Sequence, residues 1–277
     1  MSESEPWRSG LSDDSELPPE IDITIPSVAR AYDYALGGKN HFAVDRMAAD
    51  ASNAVFPGAL DLARDNRKFL RRTVQYLVAD AGITQILDVG SGLPTAGNVH
   101  EVAHKIDPSV RVVYIDIDPI VLAHGRALLA NNNTTAVIIG DAADPKSIME
   151  DPTVRDFIDL DRPLAVLLSG ILHHLSDEQT PTQVAHYFSE LMPSGSYLMA
   201  SNFLDDDDPL AKEAETAIVR NFGTGWFRSW TEQESYFEGL ELVEPGLTYA
   251  NDWRPDSSTT KNSPWHTYLA GAVGRKP

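Results

Sequence analysis

The sequence predicts an α/β protein of the doubly wound, three-layer class, with a mostly parallel sheet of about seven strands. Three observations carry that expectation. Short apolar, β-branched runs open the stretches 85–103, 111–129, 134–145 and 162–178. Each run stops at glycine, aspartate or small residues, and after it the pattern changes toward helical period. Further apolar runs at 192–202, 240–250 and 266–276 complete the alternation, and no internal repeat competes with it.

Residues 1–22 are polar, acidic and proline-containing, and are expected to be a disordered tail. From Pro26 a short helical stretch follows, with Ser27 placed as its cap and Gly37 and Gly38 as its stop. Arg30, Tyr32, Asp33 and Tyr34 make this stretch more polar and aromatic than docking alone needs, so 26–42 reads as part of a lid. The competing reading is a packed N-terminal helix. A helix is expected over about 62–81, ended by Gly82, with Arg64, Arg67, Lys68, Arg71 and Arg72 as its solvated face opposite Phe69, Leu70, Val74, Leu77 and Val78. These segments divide the chain into a tail (1–22), an N-terminal helical segment with lid (23–82) and a main domain (83–277) carrying an insertion at about 203–235.

At the head of the main domain, Ile86, Leu87 and Val89 run into Gly90, and a helix is expected from about Thr95 with Pro94 in its first turn. Gly90 and Gly92 lack a Cβ where the chain reverses, so a ligand can lie against the backbone. Asp88, at the carboxyl end of the strand, is placed either to hold an ammonium group or simply to cap the turn. A dinucleotide fingerprint would put its third glycine where this chain has Thr95, which disfavours a nicotinamide cofactor. The next strand ends at Asp116, 26 residues after Gly90, and a long crossover helix is expected to account for that spacing. Asp116 suits ribose hydroxyls; Asp118 competes with it or caps the following helix. The third run ends at Gly140 and Asp141, and the fourth leads through small residues to His173 and His174.

After the fourth strand a helix is expected over 177–191, then a turn and fifth strand over 192–202. The acid run 205–208 lacks the alternating ligands and closing glutamate of a calcium loop, and reads as an exposed loop capping a helix at Pro209. That helix, over about 210–220, and the aromatic stretch 223–230 precede the last two strands.

Composition narrows the function. The 277 residues carry a formal charge of −19, which disfavours nucleic acid, whose binding draws on Lys and Arg meeting phosphates. Cysteine is absent, excluding disulfides and thiolate metal sites. No apolar run approaches the roughly 20 residues of a membrane span, and the first residues lack a secretory signal, so a cytoplasmic location is expected. His100 and His104 are spaced i, i+4, but without a third ligand in view a shared metal is disfavoured.

Taken in order, ILDVGSG, VVYIDID, GDAAD and LLSGILHHL resemble the glycine-loop, ribose, adenine and methyl-facing motifs of the class I S-adenosylmethionine-dependent methyltransferases. The segment 26–46, with SGLPTAGNVHEVA, DPIVLAHGRALL and GLELVEPGL, is more closely similar to the actinobacterial "S-adenosyl methyltransferase" family, whose substrates are uncharacterised, across almost the whole chain beyond the tail. The resemblance implies a Rossmann-like sheet whose final pair is antiparallel, and S-adenosyl-L-methionine as cofactor. It also implies cofactor contacts at Asp88, Gly90, Ser91, Gly92, Asp116, Ile117, Asp141, Ala142, Ser169 and Tyr32, with a small molecule as methyl acceptor. His173 and His174 are then the candidate general bases, against a structural reading in which an imidazole turns inward to bond a carbonyl. Two other functions stay open: binding S-adenosylmethionine or its demethylated product without turnover, as a sensor or scaffold, and NAD-dependent oxidation.

Overall fold

The structure is a computed structural model that describes residues 22–94, 97–129, 133–205 and 207–277. The expected acidic tail, up to residue 21, and the expected helix start at Thr95 lie outside the described residues. The central sheet is built from β1 (Gln85–Val89), β2 (Arg111–Asp116), β3 (Thr135–Ile139), β4 (Ala165–Ser169) and β5 (Tyr197–Asp205), all mutually parallel. Every residue of β1 is buried because helices cover both faces, which is why Ile86, Leu87 and Val89 are apolar; of its two polar residues, Gln85 donates to the carbonyls of Asp159 and Arg162. Ile86 packs into one layer with Phe69 and Leu167; Leu87, one residue on, packs into the other with Val166 and Phe188. The sheet order is β3-β2-β1-β4-β5-β9-β7, with β9 (Leu269–Arg275) antiparallel to β5 and β7 (Glu241–Leu242) antiparallel to β9, as the family resemblance implied.

Several elements differ from expectation. The stretch 240–250 is not one strand. It makes two short pairings with β9, through β7 and through β8 (Thr248–Tyr249), separated by a turn at the cis Glu244–Pro245 bond. A two-residue strand, β6 (Arg228–Ser229), also pairs with β5. The helix expected from 177 begins at Pro181 as α8 (Pro181–Leu191), because Thr180 adopts φ 49° and separates it from a 3-10 turn at Asp177–Gln179.

The helix after the glycine loop, α4 (Val99–His104), is only six residues long. Glu101 sets its start, its Oε2 accepting from the amides of Gly97 (2.7 Å) and Asn98 (3.2 Å). The expected long crossover helix is therefore not found: α4 ends at His104, and the described residues 90–94, 97–98 and 105–110 are non-helical.

Three helices precede the sheet. In α1 (Val28–Ala35) Ser27 is the N-cap and Gly37, at φ 79°, follows the C-terminus, as expected. The second, α2 (Ala43–Val55), packs on α9 (Pro209–Phe222), where Asn221 donates to Ser52 Oγ at 2.9 Å. The third, α3 (Ala59–Ala79), lies over the sheet. Two of its arginines correct the solvated-face reading. Arg72 is 4% exposed and donates to the carbonyls of Trp253 (3.0 Å) and Ala250 (2.6 Å), and Arg67 is also buried. A helix covered by the 250s loop on one flank and by the glycine loop on another has no free face there for charge. Among the described residues no helix is long and apolar enough to cross a membrane.

Candidate active site

The strand order reverses between β1 and β4, the position at which open parallel sheets bind ligands beyond the strand ends. A cavity of about 630 Å3 opens there. The residues named from sequence as cofactor contacts or candidate bases all line it: Asp88, Gly90, Ser91 and Gly92 in and after β1, Asp116 and Ile117 at the end of β2, and Asp141 and Ala142 after β3. Ser169 ends β4, His173 and His174 follow it, and Tyr32 enters from α1.

Gly90 and Gly92 both have positive φ, +72° and +67°, a region that L side chains rarely adopt. They serve different ends. A Cβ on Gly90 would lie 2.6 Å from the Ile171 side chain, so that glycine lets the β4 loop pack against the turn. At Gly92 nothing lies within 4 Å, so the backbone there borders open cavity. The Gly92 amide donates to Asp116 Oδ2 (2.7 Å) and the Asp118 amide to Asp116 Oδ1 (2.9 Å), which fixes the Asp116 carboxylate. Burial pushes that carboxyl up to about 6, opposed by those two amides. Asp118 caps the next helix through Ile120 N (3.0 Å) and accepts from Ser27 Oγ (2.6 Å), tying the start of α1 to the sheet rim.

Asp88 differs from these. It is 3% exposed and its carboxylate accepts no hydrogen bond from the described residues, and burial pushes that carboxyl up to about 7, with the Arg67 guanidinium opposing the rise and Asp116 adding to it. Arg67 reaches the same space from α3, where its guanidinium lies 5.5 Å from the Tyr32 ring centroid and its buried Nε has no partner. Both residues, with Ser91 and Gly92, also line an adjoining cavity of about 200 Å3. A carboxylate and a guanidinium that face one cavity without forming an ion pair are matched to the ammonium and carboxylate of an α-amino acid. Sequence reading missed Arg67 because a lysine- and arginine-rich helix normally presents that face to water.

Behind them lies a buried polar network. Asn66 Nδ2 donates to Tyr32 OH and Ser169 Oγ (both 3.3 Å), Ser201 Oγ donates to Asn66 Oδ1 (2.6 Å), and Tyr32 OH donates to the Ala63 carbonyl (2.9 Å). Asn66 and Ser201 had no sequence signal beyond being small polar residues inside apolar patterns.

The two histidines are unlike. His173 is 3% exposed, stacks on Phe203 with ring centroids 4.2 Å apart, and leaves Nδ1 unpartnered, so that nitrogen does not bond a carbonyl as the structural reading supposed. Burial holds it well below the usual histidine range. His174 is half-buried against the cavity, and desolvation pushes it down to about 4. His100 and His104 are structural: His100 Nδ1 meets Tyr114 OH (2.7 Å) and His104 Nε2 the Val110 carbonyl (2.9 Å). No group of three metal-ligating side chains occurs among the described residues.

With this geometry in hand, the comparisons with known proteins are decisive. A family model described as S-adenosyl methyltransferase matches residues 14–277. The chain belongs to that family. S-adenosylmethionine is its cofactor, and the nicotinamide alternative is set aside. The methyltransferase is similar to the crystal structure of a candidate methyltransferase from Thermobifida fusca YX, at 44% identity over 94% of this chain and 98% of that one, TM-score 0.89. It is similar as well to a DUF574 family protein from Streptomyces avermitilis MA-4680, at 38% identity over 92% and 99%, TM-score 0.88. An O-methyltransferase family protein from Burkholderia thailandensis, 13% identical over 79% of this chain and 60% of that one, shares the fold at TM-score 0.52. No curated protein matches the chain.

The residues present fit the cofactor: Asp88 and Arg67 face the cavity with the Arg67 Nε unpartnered, the space over Gly92 is open, and Ile117, 64% exposed at the cavity edge, offers an apolar surface for a flat base. If Asp116 bonds the ribose, a hydrogen bond to a charged group, at about 1.5–3 kcal/mol, predicts that Asp116→Ala weakens binding roughly 10- to 150-fold. Calorimetry with S-adenosylhomocysteine checks this; unchanged affinity moves the ribose assignment to Asp118 or removes it.

Proposed function

We propose that this methyltransferase acts on a small-molecule acceptor, bound with the cofactor inside the cavity bounded by α1, α3, α9 and the loop after β4. The observation that carries this reading is the cavity's continuation past the strand ends, between Ala31 and Leu62 on one side and Ile218 and Phe222 on the other. A recess closed in by helices admits a small molecule more readily than a macromolecular surface, and the charge of −19 argues against nucleic acid. Cofactor binding falls to Asp88 and Arg67 for the amino-acid end, Gly92 and Ser91 for backbone approach, Asp116 for the ribose, and Ile117, Asp141 and Ala142 for the adenine. When bound, S-adenosylmethionine supplies a methyl group on a positively charged sulfur, which is already an activated leaving group. The chain's own residues mainly align the acceptor, and such positioning can supply about 7–11 kcal/mol. His173 and His174 are the basic groups near the end of β4, of use where the nucleophile holds a proton. The test is to incubate the protein with S-adenosylmethionine and size-fractionated cell extract and to follow S-adenosylhomocysteine by mass spectrometry. Turnover is expected from the small-molecule fraction; turnover only with the protein or nucleic-acid fraction overturns the reading.

The segment 26–42 is proposed to act as the lid of this site. Tyr32 projects from it into the cavity, and the Ser27–Asp118 hydrogen bond latches its start beside the ribose-facing carboxylate. Closing such a segment excludes water and orders the reactants. Amide hydrogen exchange near Tyr32 should slow when S-adenosylhomocysteine is added at saturation. Equal exchange with and without ligand would show that α1 is only a packed helix.

A further inference from the structure

The acceptor end of the cavity carries information about charge and about proton transfer. Its walls, away from the strand-end loops, are mostly apolar, with Leu62, Phe203, Ile218 and Phe222 among them, and the polar groups there, such as Ser52 and Asn66, are uncharged. The charged groups that border it are engaged or outside. Arg30 is ion-paired to buried Asp45 (Nε to Oδ1, 3.2 Å) and donates to the Asp22 and Ile25 carbonyls, and Asp22 itself is exposed at the rim. Arg67 and Asp88 face the strand-end side, beside Gly92. His173 and His174 are held neutral by burial. A carboxylate or ammonium on the acceptor would lose its hydration here and meet no counter-charge, whereas an apolar, uncharged molecule would gain contact on every side.

The second observation concerns Thr224, in the loop after α9. Its Oγ1 lies 2.5 Å from the His174 carbonyl and 3.4 Å from His174 Nδ1. A carbonyl can only accept, so the threonine hydroxyl proton points at it. The contact with the ring must then run the other way, with Nδ1–H donating to Oγ1. That fixes the tautomer and leaves Nε2 bare. His173 has no comparable partner at Nδ1, which is buried and unpartnered.

We propose, building on the methyltransferase reading above, that the acceptor is an uncharged, largely apolar molecule bearing a hydroxyl or arylamine nucleophile, and that His174 Nε2, oriented by Thr224 as a positioning residue, receives its proton. The acceptor's O–H or N–H bond breaks with its electron pair staying on the acceptor atom, and the Nε2 lone pair forms the new N–H bond. A neutral nucleophile becomes strongly acidic as it takes up the methyl group, so an imidazole whose basicity is reduced by burial is sufficient for a proton that leaves late.

Two measurements test this on the full-length protein saturated with S-adenosylhomocysteine. Calorimetry compares 2-naphthol, 2-naphthoate and 2-naphthylmethylammonium, which share one ring system and differ in charge. The neutral probe is expected to bind at least tenfold tighter than either ion. A charged probe binding as tightly, or none of the three binding while S-adenosylhomocysteine does, overturns the acceptor class; failure of S-adenosylhomocysteine itself to bind is the separate failure of the cofactor reading. Imidazole 15N spectra, with His174→Gln supplying the assignment, are expected to show His174 protonated at Nδ1. Thr224→Val should shift it toward the Nε2–H form and Thr224→Ser should restore it. An Nε2–H tautomer in the unmodified protein overturns the positioning role whether or not the variants fold.

Discussion

Asp88→Asn is expected to weaken S-adenosylmethionine binding roughly 30- to 5,000-fold, because breaking a buried charge pair costs about 2–5 kcal/mol. The same substitution should make the ligand-free protein more stable at neutral pH. Burial raises the Asp88 carboxyl from 3.8 to about 7, which corresponds to about 4 kcal/mol that the ionised group takes from folding. An asparagine amide left without partners there costs about 1–3 kcal/mol, so a net gain of about 1–3 kcal/mol remains. The sign follows from the raised folded-state value. The penalty is absent below 3.8 and fully developed above about 7, so the variant's advantage should grow across that window in urea melts at successive pH values. Cofactor affinity should follow the same titration, rising as pH increases toward about 7 and levelling above it, since an ammonium pairs only with the ionised carboxylate. Asp116, pushed up to about 6, should add a second, lower-lying contribution that survives in Asp88→Asn. Unchanged affinity in the variant would assign Asp88 to the turn alone.

Gly92→Val is expected to abolish measurable cofactor binding while leaving the circular dichroism spectrum intact. Its Cβ would enter open cavity with no atom within 4 Å, so the substitution fills ligand space without displacing the protein. A non-glycine residue at φ +67° adds about 1–2 kcal/mol of strain, visible as a modest fall in melting temperature. Gly90→Ala supplies the contrast. Its Cβ would meet Ile171 at 2.6 Å, so it should lower stability more than Gly92→Val does. Normal binding by Gly92→Val would place the ligand elsewhere than over the glycine loop.

Both predictions rest on residues that were legible before the fold was seen, and the reason is local. β1 and β4 announce themselves because a strand buried on both faces is largely apolar, β2, β3 and β5 carry similar runs with partly exposed positions, and the acids and glycines at the strand ends stand out against them. The cap at Ser27 and the stop at Gly37 are likewise decided by neighbours within one helical turn. The start of α4 at Val99 was legible in principle, since Asn98 and Glu101 have capping-box spacing. Division of 240–250 into two short pairings was not legible, because a run of strand-forming residues does not state how many of them find a partner edge.

The sequence by itself determined the order of strands and turns, the acids at the strand ends and the family that this order belongs to. Tertiary structure alone decided what Arg67, Arg72, Asn66 and Thr224 do. A charged or polar residue on a helix carries the same local signal whether it meets water or a cavity, and its role depends on what distant chain lies opposite. For Arg72 that is the carbonyls of Ala250 and Trp253, for Asn66 the hydroxyls of Ser169 and Ser201, and for Arg67 a space shared with Asp88. These pairings span from about twenty to nearly two hundred residues of sequence, and burial, which makes an unpaired charge costly, is settled only when those segments meet.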